Sequence, residues 1–214
     1  KGQENHMKFL HIADVHLGLA PDAGKPWSSR RQQDIWDSFR EVLAVAEREK
    51  VDLVLIAGDL FHRQPLMREL KQVNELFGGL TRTKVALIAG NHDYMHPRSN
   101  YRGFSFAENV IFFDREQIRG VELPEYQACI YGLSYWHKEI TDGLYDALRP
   151  KDPAKINILL AHGGDAKHIP MSEAALRQNG FDYVACGHIH KGGQIIKKYP
   201  AVSLCINRAM IISP

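Results

Sequence analysis

Uninterrupted runs of apolar residues recur along this sequence, and several of them stop abruptly at aspartate, asparagine or histidine. The run Val54-Leu55-Ile56-Ala57 contains no polar residue before Gly58-Asp59, which is typical of a strand buried on both faces. Similar runs lead into further polar segments, namely Asp14-Val15-His16, Gly90-Asn91-His92-Asp93, His162 and Gly187-His188-Ile189-His190. Because open α/β sheets bind ligands at the carboxyl ends of their strands, we expect these polar residues to share one rim.

Two longer segments with helical periodicity separate the first three of these strands. Apolar residues on one face predict a helix from Ser29 to about Glu49, and Ser29 with Gln32 is typical of a capping box at its start. A second helix is predicted from about Leu66 to Leu80. The alternation of strand and helix indicates right-handed crossovers and a parallel sheet.

The pattern changes in the second half of the chain, where short β-rich runs replace the alternation. Three such runs predict a second, partly antiparallel sheet, at 110–113, 117–123 and 128–133. A helix is predicted over about 140–148, and another over 172–179 with Gly180 as its C-cap. The end of the chain is predicted to form two strands separated by Pro200.

Composition places the chain among globular proteins. Its 214 residues, 44% hydrophobic and 24% charged, suit one α/β domain or at most two small ones, and the absence of repeats and linkers favours one. The net charge of +2 gives no global basic field that would indicate nucleic acid. No apolar stretch approaches the roughly 20 residues that span a bilayer. The widely spaced cysteines are typical of reduced core residues in a cytoplasmic protein.

The polar residues at the strand ends carry the candidate chemistry. A single aspartate or histidine in such a place is usually an ordinary turn, cap or hydrogen-bonded residue. A whole set at successive strand ends is harder to explain in that way, and it consists of Asp14, His16, Asp59, Asn91, His162, His188 and His190. Carboxylates combined with imidazoles suit divalent ions such as Mn²⁺ and leave positions open for water and substrate. We therefore predict a metal centre at the shared rim.

These motifs, in this order, resemble those of the calcineurin-like metallophosphoesterases, and the resemblance spans residues 8–190. Within that superfamily, Ala13-Asp14-Val15-His16-Leu17-Gly18 and Gly58-Asp59-Leu60-Phe61-His62 are similar to the DNA repair nucleases of the Mre11/SbcD group. Protein phosphatases of the superfamily carry Gly-Asp-x-x-Asp-Arg-Gly at the second motif, where this chain has His62-Arg63-Gln64.

The resemblance implies an α/β fold, a four-layer α/β/β/α sandwich in which two central mixed sheets are flanked by helices. It also implies two divalent metal ions, Mn²⁺ in the nuclease branch, with Fe, Zn or Mg as alternatives. The first ion would be held by Asp14, His16, Asp59 and His190. The second ion would be held by the bridging Asp59 together with Asn91, His162 and His188.

The resemblance also implies roles for residues beside the ligands. His92 would be the general acid that protonates the leaving oxygen, with a supporting or solvent-exposed histidine as the alternative. His62 would orient the phosphate or the nucleobase side of a nucleic acid, or would only cap the following helix. Arg63, Arg98 and Lys191 are candidate substrate contacts, although basic residues on loops are often merely solvated.

The resulting functional prediction is a dimetal-dependent phosphodiesterase that hydrolyses DNA, as an exonuclease or endonuclease of the Mre11/SbcD type. Within enzymes, the alternative is a phosphodiesterase or phosphatase acting on a small nucleotide or a phospholipid headgroup. From another class, the alternative is a non-catalytic scaffold that keeps the fold. The presence of His92 and of the complete ligand set argues against the scaffold.

The chain departs from the nuclease pattern after its last motif, because Tyr199-Pro200 is followed by Ala201-Val202-Ser203 rather than by Gly-Ser. Residues 1–7 are expected to be an expression-derived or disordered leader. Residues 8–214 are expected to be a single catalytic domain without the capping domain and the ATPase-binding segment. DNA is the expected partner, an SMC/Rad50-like ATPase would join it if the native chain is longer, and a homodimer is compatible with the resemblance. No membrane association is expected, and the expected location is the cytoplasm.

Overall fold

The computed structural model describes residues 7–189 and 210–212. Strands and helices alternate in the first half of the chain, as β1 (Phe9–Ile12), α1 (Ser28–Arg48), β2 (Leu53–Ala57), α2 (Met67–Gly78) and β3 (Lys84–Ile88). The second half contains β4 (Val110–Phe112), β5 (Arg119–Leu123), β6 (Ala128–Gly132), β7 (Ile156–His162), α3 (Glu173–Gln178), β8 (Tyr183–Gly187) and β9 (Met210–Ile212). Among the described residues, no helix is both long and apolar enough to cross a membrane.

The strands form two sheets. The first has the order β4-β3-β2-β1-β9, in which β1 to β4 run parallel and β9 is antiparallel to β1. The second has the order β5-β6-β7-β8, in which β5 is antiparallel to β6 and the other pairs are parallel. The predicted α/β fold with two mixed central sheets and flanking helices is confirmed.

Three hydrophobic clusters show how the sheets and helices pack. Val54 and Ile56 of β2 belong to a cluster with residues of α1 and α2, whereas Leu53 and Leu55 belong to a cluster with residues of β6, β7 and β8. Strand β2 therefore buries both of its faces, which explains its uninterrupted apolar run. The third cluster joins the other face of the second sheet to Leu176 of α3.

Three local predictions were wrong. The run at 110–113 forms β4, which pairs parallel with β3 in the first sheet instead of joining the second. Residues 140–148 form no helix, because the Ile140 backbone bonds with Lys167 and Ile169 of a neighbouring loop. Helix α1 follows Trp27 without a side-chain cap, and Gln32 donates to Gly18 O instead of closing a capping box.

Helix α3 follows its prediction closely. Ser172 caps it by accepting the Ala175 N–H at 3.3 Å, and Gly180 follows its end with a φ of 92°. Of the two strands predicted around Pro200, only residues 210–212 are described, and the remainder lies outside the described residues.

Candidate metal centre

The loops that follow β1 and β2 continue the pairing of those strands. Asp14 N–H donates to Gly58 O at 3.2 Å, and His16 N–H donates to Asp59 O at 3.0 Å. Leu17 N–H donates in turn to Leu60 O at 2.8 Å. These backbone bonds place the Asp14, His16 and Asp59 side chains at one edge of the sheet. We call residues 13–18, 58–64 and 90–93 the first-sheet rim.

Several predicted ligands have left-handed backbone conformations. The φ angles are 52° at Asp14, 53° at His16, 51° at Asp59 and 83° at His188. Such conformations cost energy in residues other than glycine, and they concentrate at functional sites. Position 90 must be glycine, because the Asp59 and His162 side chains pack directly against its backbone. A Cβ there would lie 2.3 Å from Asp59 Oδ1 and 2.7 Å from the Nε2 of the His162 ring.

His162 brings the second sheet to this rim. Its Nδ1 lies 2.9 Å from Ala57 O and must carry the hydrogen, because a carbonyl oxygen only accepts. Its Nε2 then faces Asn91 Oδ1 at 3.0 Å and Asp59 Oδ2 at 3.4 Å. Three acceptor atoms that converge in a buried place require a cation between them, either a proton or a metal ion.

The pKa shifts of Asp59 and His162 indicate the same need for a cation. Burial alone would raise the pKa of Asp59, but the charge and hydrogen bond of His162, together with the His92 N–H and the His16 ring, hold that pKa below its ordinary value. Burial alone would lower the pKa of His162, but the charge and hydrogen bond of Asp59, together with Asp14 and the Ala57 carbonyl, raise that pKa. A proton on His162 therefore balances the buried carboxylate, and a divalent ion would replace it.

The ligand atoms form two overlapping groups. Asp14, His16 and Asp59 offer ligand atoms within 4.8 Å of one another, and so do Asp59, His162 and His188. Asp59 belongs to both groups, as the predicted bridge requires, and it is 1% exposed. Asp14 also accepts the His188 N–H at 3.0 and 3.1 Å, which ties β8 to β1. The donor set fits two divalent ions held by oxygen and imidazole nitrogen. His190, the remaining predicted ligand, lies outside the described residues.

Two further histidines stand beside His16. The ring centroids of His92 and His62 lie 5.1 Å apart in a stacked pair, and the His92 centroid is 4.8 Å from that of His16. His92 Nδ1 lies 3.0 Å from His62 O, so it donates to that carbonyl, while Nε2 is 4.0 Å from Asp59 Oδ2. Burial lowers the pKa of His16 to about 4 and also lowers the pKa of His62, so both rings are neutral near pH 7.

Two carboxylates near the site were assigned no role on the basis of the sequence. Asp93 is buried and accepts hydrogen bonds from Gly90 N–H, Phe61 N–H and Tyr101 Oη–H, at 2.8, 3.1 and 2.9 Å. Burial and the nearby Asp59 charge raise the pKa of Asp93 to about 7. Asp165 lies against His188 on the other sheet. The only signal in the sequence was the position of each residue, directly or shortly after a predicted ligand.

The three candidate substrate contacts differ in their surroundings. The Arg63 guanidinium pairs with both oxygens of Glu69, at 2.9 and 2.8 Å, and its side chain remains 44% exposed. Arg98 is exposed on the loop after β3. Lys191 lies outside the described residues.

The chain belongs to the calcineurin-like phosphoesterase family, whose model matches residues 7–192. It is accordingly a metal-dependent phosphoesterase by family, with candidate metal-binding residues at the expected rim.

Curated relatives narrow the comparison. The chain is 31% identical over 218 residues to the protein named uncharacterized metallophosphoesterase YhaO of Bacillus subtilis (strain 168), covering 92% of this chain and 52% of the relative. It is 29% identical over 197 residues to the DNA double-strand break repair protein Mre11 of Methanocaldococcus jannaschii, covering 86% and 52%. The Mre11 protein of Saccharolobus solfataricus is 28% identical over 202 residues, covering 86% and 49%. The chain thus spans about half the length of these relatives.

Proposed function

We propose that this chain is a two-metal phosphodiesterase that hydrolyses DNA. The observation that carries the proposal is the placement of His92 beside the buried Asp59, at the edge where both groups of ligand atoms overlap. DNA as the substrate is supported by the similarity to relatives named DNA double-strand break repair protein Mre11. A cytoplasmic location, a single catalytic domain, a homodimer and an SMC/Rad50-like ATPase partner for a longer native chain stay predictions.

The proposed ligands are the members of the two overlapping groups together with Asn91 and His190. The first ion is assigned to Asp14, His16, Asp59 and His190. The second ion is assigned to Asp59, Asn91, His162 and His188. Mn²⁺ is the proposed metal because carboxylate, amide oxygen and imidazole together suit it. When bound, such an ion pair supplies an activated water and neutralises charge on the phosphate oxygens.

His92 is the proposed general acid. Its Nδ1–H is anchored on His62 O, so Nε2 is the atom that faces the site. A proton on Nε2 makes the ring an imidazolium, which can pass that proton to the leaving oxygen. The His92 side chain is 40% exposed, which leaves room for the leaving strand and for reprotonation from solvent.

His62 is the proposed orienting residue. Its Nδ1 is buried and has no hydrogen-bond partner among the described residues. Because Nδ1 is enclosed by protein, the contact with a substrate phosphate is assigned to Nε2, the other ring nitrogen. The stack with His92 would hold both rings at a fixed separation over the substrate.

One observation favours the small-substrate alternative. Arg63, the candidate phosphate contact nearest to the ligands, is already held by both oxygens of Glu69. A guanidinium bound in this way has fewer donors to offer to a nucleic-acid backbone. Substrate size must therefore be tested directly.

The test compares a small diester with DNA. The Mn²⁺-loaded protein is assayed on bis-p-nitrophenyl phosphate and on labelled single- and double-stranded DNA. The proposal expects turnover of all of them, whereas turnover of the small diester alone would favour a small nucleotide or phospholipid headgroup. No turnover, with metals bound, would favour the scaffold.

His62→Ala sharpens this test. Misplacing a substrate by about 1 Å can cost on the order of 10²-fold. We expect a loss of that size on DNA, a small loss on bis-p-nitrophenyl phosphate and unchanged metal content. His137→Ala is the control, because His137 is an exposed histidine paired with Glu116 and has no proposed role. Equal losses on both substrates would remove the support that this loop faces nucleic acid.

A further inference from the structure

The turn after β7 brings a carboxylate back toward the metal centre. Gly163 and Gly164 have φ angles of 142° and 125°. A Cβ on Gly163 would lie 2.3 Å from His168 O, and one on Gly164 would lie 2.3 Å from the Ile189 side chain. Gly164 N–H donates to His168 O at 2.7 Å. The two glycines therefore permit a tight turn that packs residues 165–168 against the end of β8.

Asp165 occupies the centre of this turn. One carboxylate oxygen lies 2.6 Å from His188 Nε2, and both oxygens lie 2.9 Å from His168 Nδ1. The carboxylate also accepts the N–H groups of Lys167 and His168, at 2.8 and 3.1 Å. These four contacts hold the carboxylate in one orientation, although its side chain is 50% exposed.

The hydrogen bond to His188 decides which ring nitrogen that histidine can offer. An ionised carboxylate only accepts, so the hydrogen lies on Nε2 and the lone pair of a neutral ring lies on Nδ1. His188 is also grouped with Asp59 and His162 by ligand-atom distance. Ligating histidines usually donate their second nitrogen to a carboxylate, and this contact sets both tautomer and ring orientation.

We propose that Asp165 is the positioning residue of the metal ligand His188, which it holds with Nδ1 available to the second ion. His168 supports the same carboxylate from the opposite side, and the Gly163-Gly164 turn brings it there. The inference rests on the proposed metal centre. It assigns a role to a residue that is not itself a ligand.

The test uses Asp165→Asn, which keeps the shape and an acceptor oxygen but removes the charge. Mn²⁺ binding is measured by equilibrium titration in which the concentration of free ion is determined at each step. Loss of such a supporting contact typically weakens metal affinity about 10- to 100-fold. We expect that loss for one of two ions. In the metal-free protein, ¹⁵N spectra of labelled histidine should show His188 protonated on Nε2, and a mixture of tautomers in the variant.

Glu116→Gln is the matched control. Glu116 contacts His137 Nδ1 at 3.0 Å and accepts the His137 N–H at 3.0 Å, as Asp165 does with His168. It supports no proposed ligand, so both ion affinities should equal those of the wild type. Unfolding temperatures of the metal-free proteins show whether either substitution disturbs the fold.

The outcomes separate the inference from the proposed function. A wild-type chain that binds no pair of ions would overturn both. Two ions of unchanged affinity in Asp165→Asn would overturn the inference alone. Equal weakening of both ions with a lower unfolding temperature would indicate a general structural role and also overturn it. A third ion in the wild type that Asp165→Asn removes would make Asp165 a ligand itself and contradict the proposal.

Discussion

The loops after β1 and β2 are tied to each other through backbone groups, and the buried Asp93 carboxylate fastens the β3 loop to them, whereas the loops after β7 and β8 reach this rim through the His162 ring and the Asp14 carboxylate. Asp14 and His16 pair with the β2 loop by N–H to C=O bonds, and Asp93 fastens the β3 loop. From the second sheet, the His162 ring bonds to Ala57 O, and the His188 N–H bonds to the Asp14 carboxylate. We call residues 162–169 and 187–189 the second-sheet rim.

Folding alone therefore determines the shape of the first-sheet rim, whereas the ligand residues determine how the second-sheet rim meets it. The first-sheet rim needs no ion to hold its shape, because its backbone N–H groups are paired within it, either with carbonyls of the β2 loop or with the Asp93 carboxylate. The second-sheet rim meets it through titratable rings and buried carboxylates, whose charges an ion would balance. Metal binding should therefore stabilise the contact between the two sheets.

The largest expected effect follows from removing the charge that both ligand groups share. Asp59→Asn should abolish activity and weaken both ions together, since Asn keeps the shape but loses the charge that offsets two divalent ions. Elemental analysis gives the ions per chain, and the rise in unfolding temperature on adding Mn²⁺ should disappear. A variant that retains two ions per chain would contradict the bridging assignment.

The next prediction compares the rims directly, through one carboxylate from each. Asp93→Ala leaves three buried donors without their acceptor, and each unsatisfied buried group costs about 1–3 kcal/mol. We expect the free energy of unfolding of the metal-free protein to fall by about 3 kcal/mol or more. Denaturant titration measures it.

Asp165→Ala is the counterpart on the second-sheet rim. Its carboxylate is half-exposed, so the loss of unfolding free energy should stay below about 1 kcal/mol. Similar losses from Asp93→Ala and Asp165→Ala would erase the distinction between the two rims.

A third prediction concerns chemistry at an intact rim. His92→Ala should keep both ions and lower turnover by about 10²–10⁴-fold if the ring is a general acid. The loss should shrink for a leaving group such as p-nitrophenolate, which needs little protonation. Steady-state rates on diesters with leaving groups of different pKa measure this, and a loss independent of the leaving group would point to phosphate positioning instead.

The last expected effect is confined to acidic solution and lies beneath the first-sheet rim, on β1. Burial lowers the pKa of His11 to about 4, against about 6.5 in an unfolded chain. The unfolded state therefore binds the extra proton between these values, and stability is lost as pH falls from 6.5 toward 4. Because His11 is only partly buried by surface area, we expect this loss to be about 2 kcal/mol.

His11→Gln tests this contribution. Denaturant titrations at pH 7 and pH 4.5 should show a smaller difference for the variant than for the wild type, with unchanged metal content at pH 7. An identical pH dependence would place the acid sensitivity elsewhere, for example at His16, whose pKa burial also lowers.

Local sequence patterns predicted the strands and the polar residues at their ends. They failed where the interacting residues are far apart in the sequence. The apolar runs of β2 and β7 end at Asp59 and His162, so strand position and candidate ligand come from the same few residues. The three-residue strand β4 carries no information about which sheet it joins. Its place follows from the long loop that returns the chain to β3.

Side-chain roles that depend on the fold were the least predictable. Arg63 was expected to face a substrate phosphate, but its partner Glu69 lies six residues later, in the first turn of α2, and only the folded chain shows the pair. Asp165 follows His162 by three residues, yet one of its contacts is with His188, directly after β8. A local pattern does not contain such pairs.

The left-handed backbone at Asp14, His16, Asp59 and His188 limits which residues selection can place there. Aspartate and histidine are among the residues that adopt this backbone conformation most readily, whereas glutamate and β-branched residues adopt it less readily. Ligand chemistry and backbone geometry thus select the same residue types. Glycine would relieve the backbone strain, but at Asp14 and Asp59 it would also remove the carboxylates that accept the His188 and His92 N–H groups, so these positions cannot be relaxed without losing both a ligand and a buried hydrogen bond.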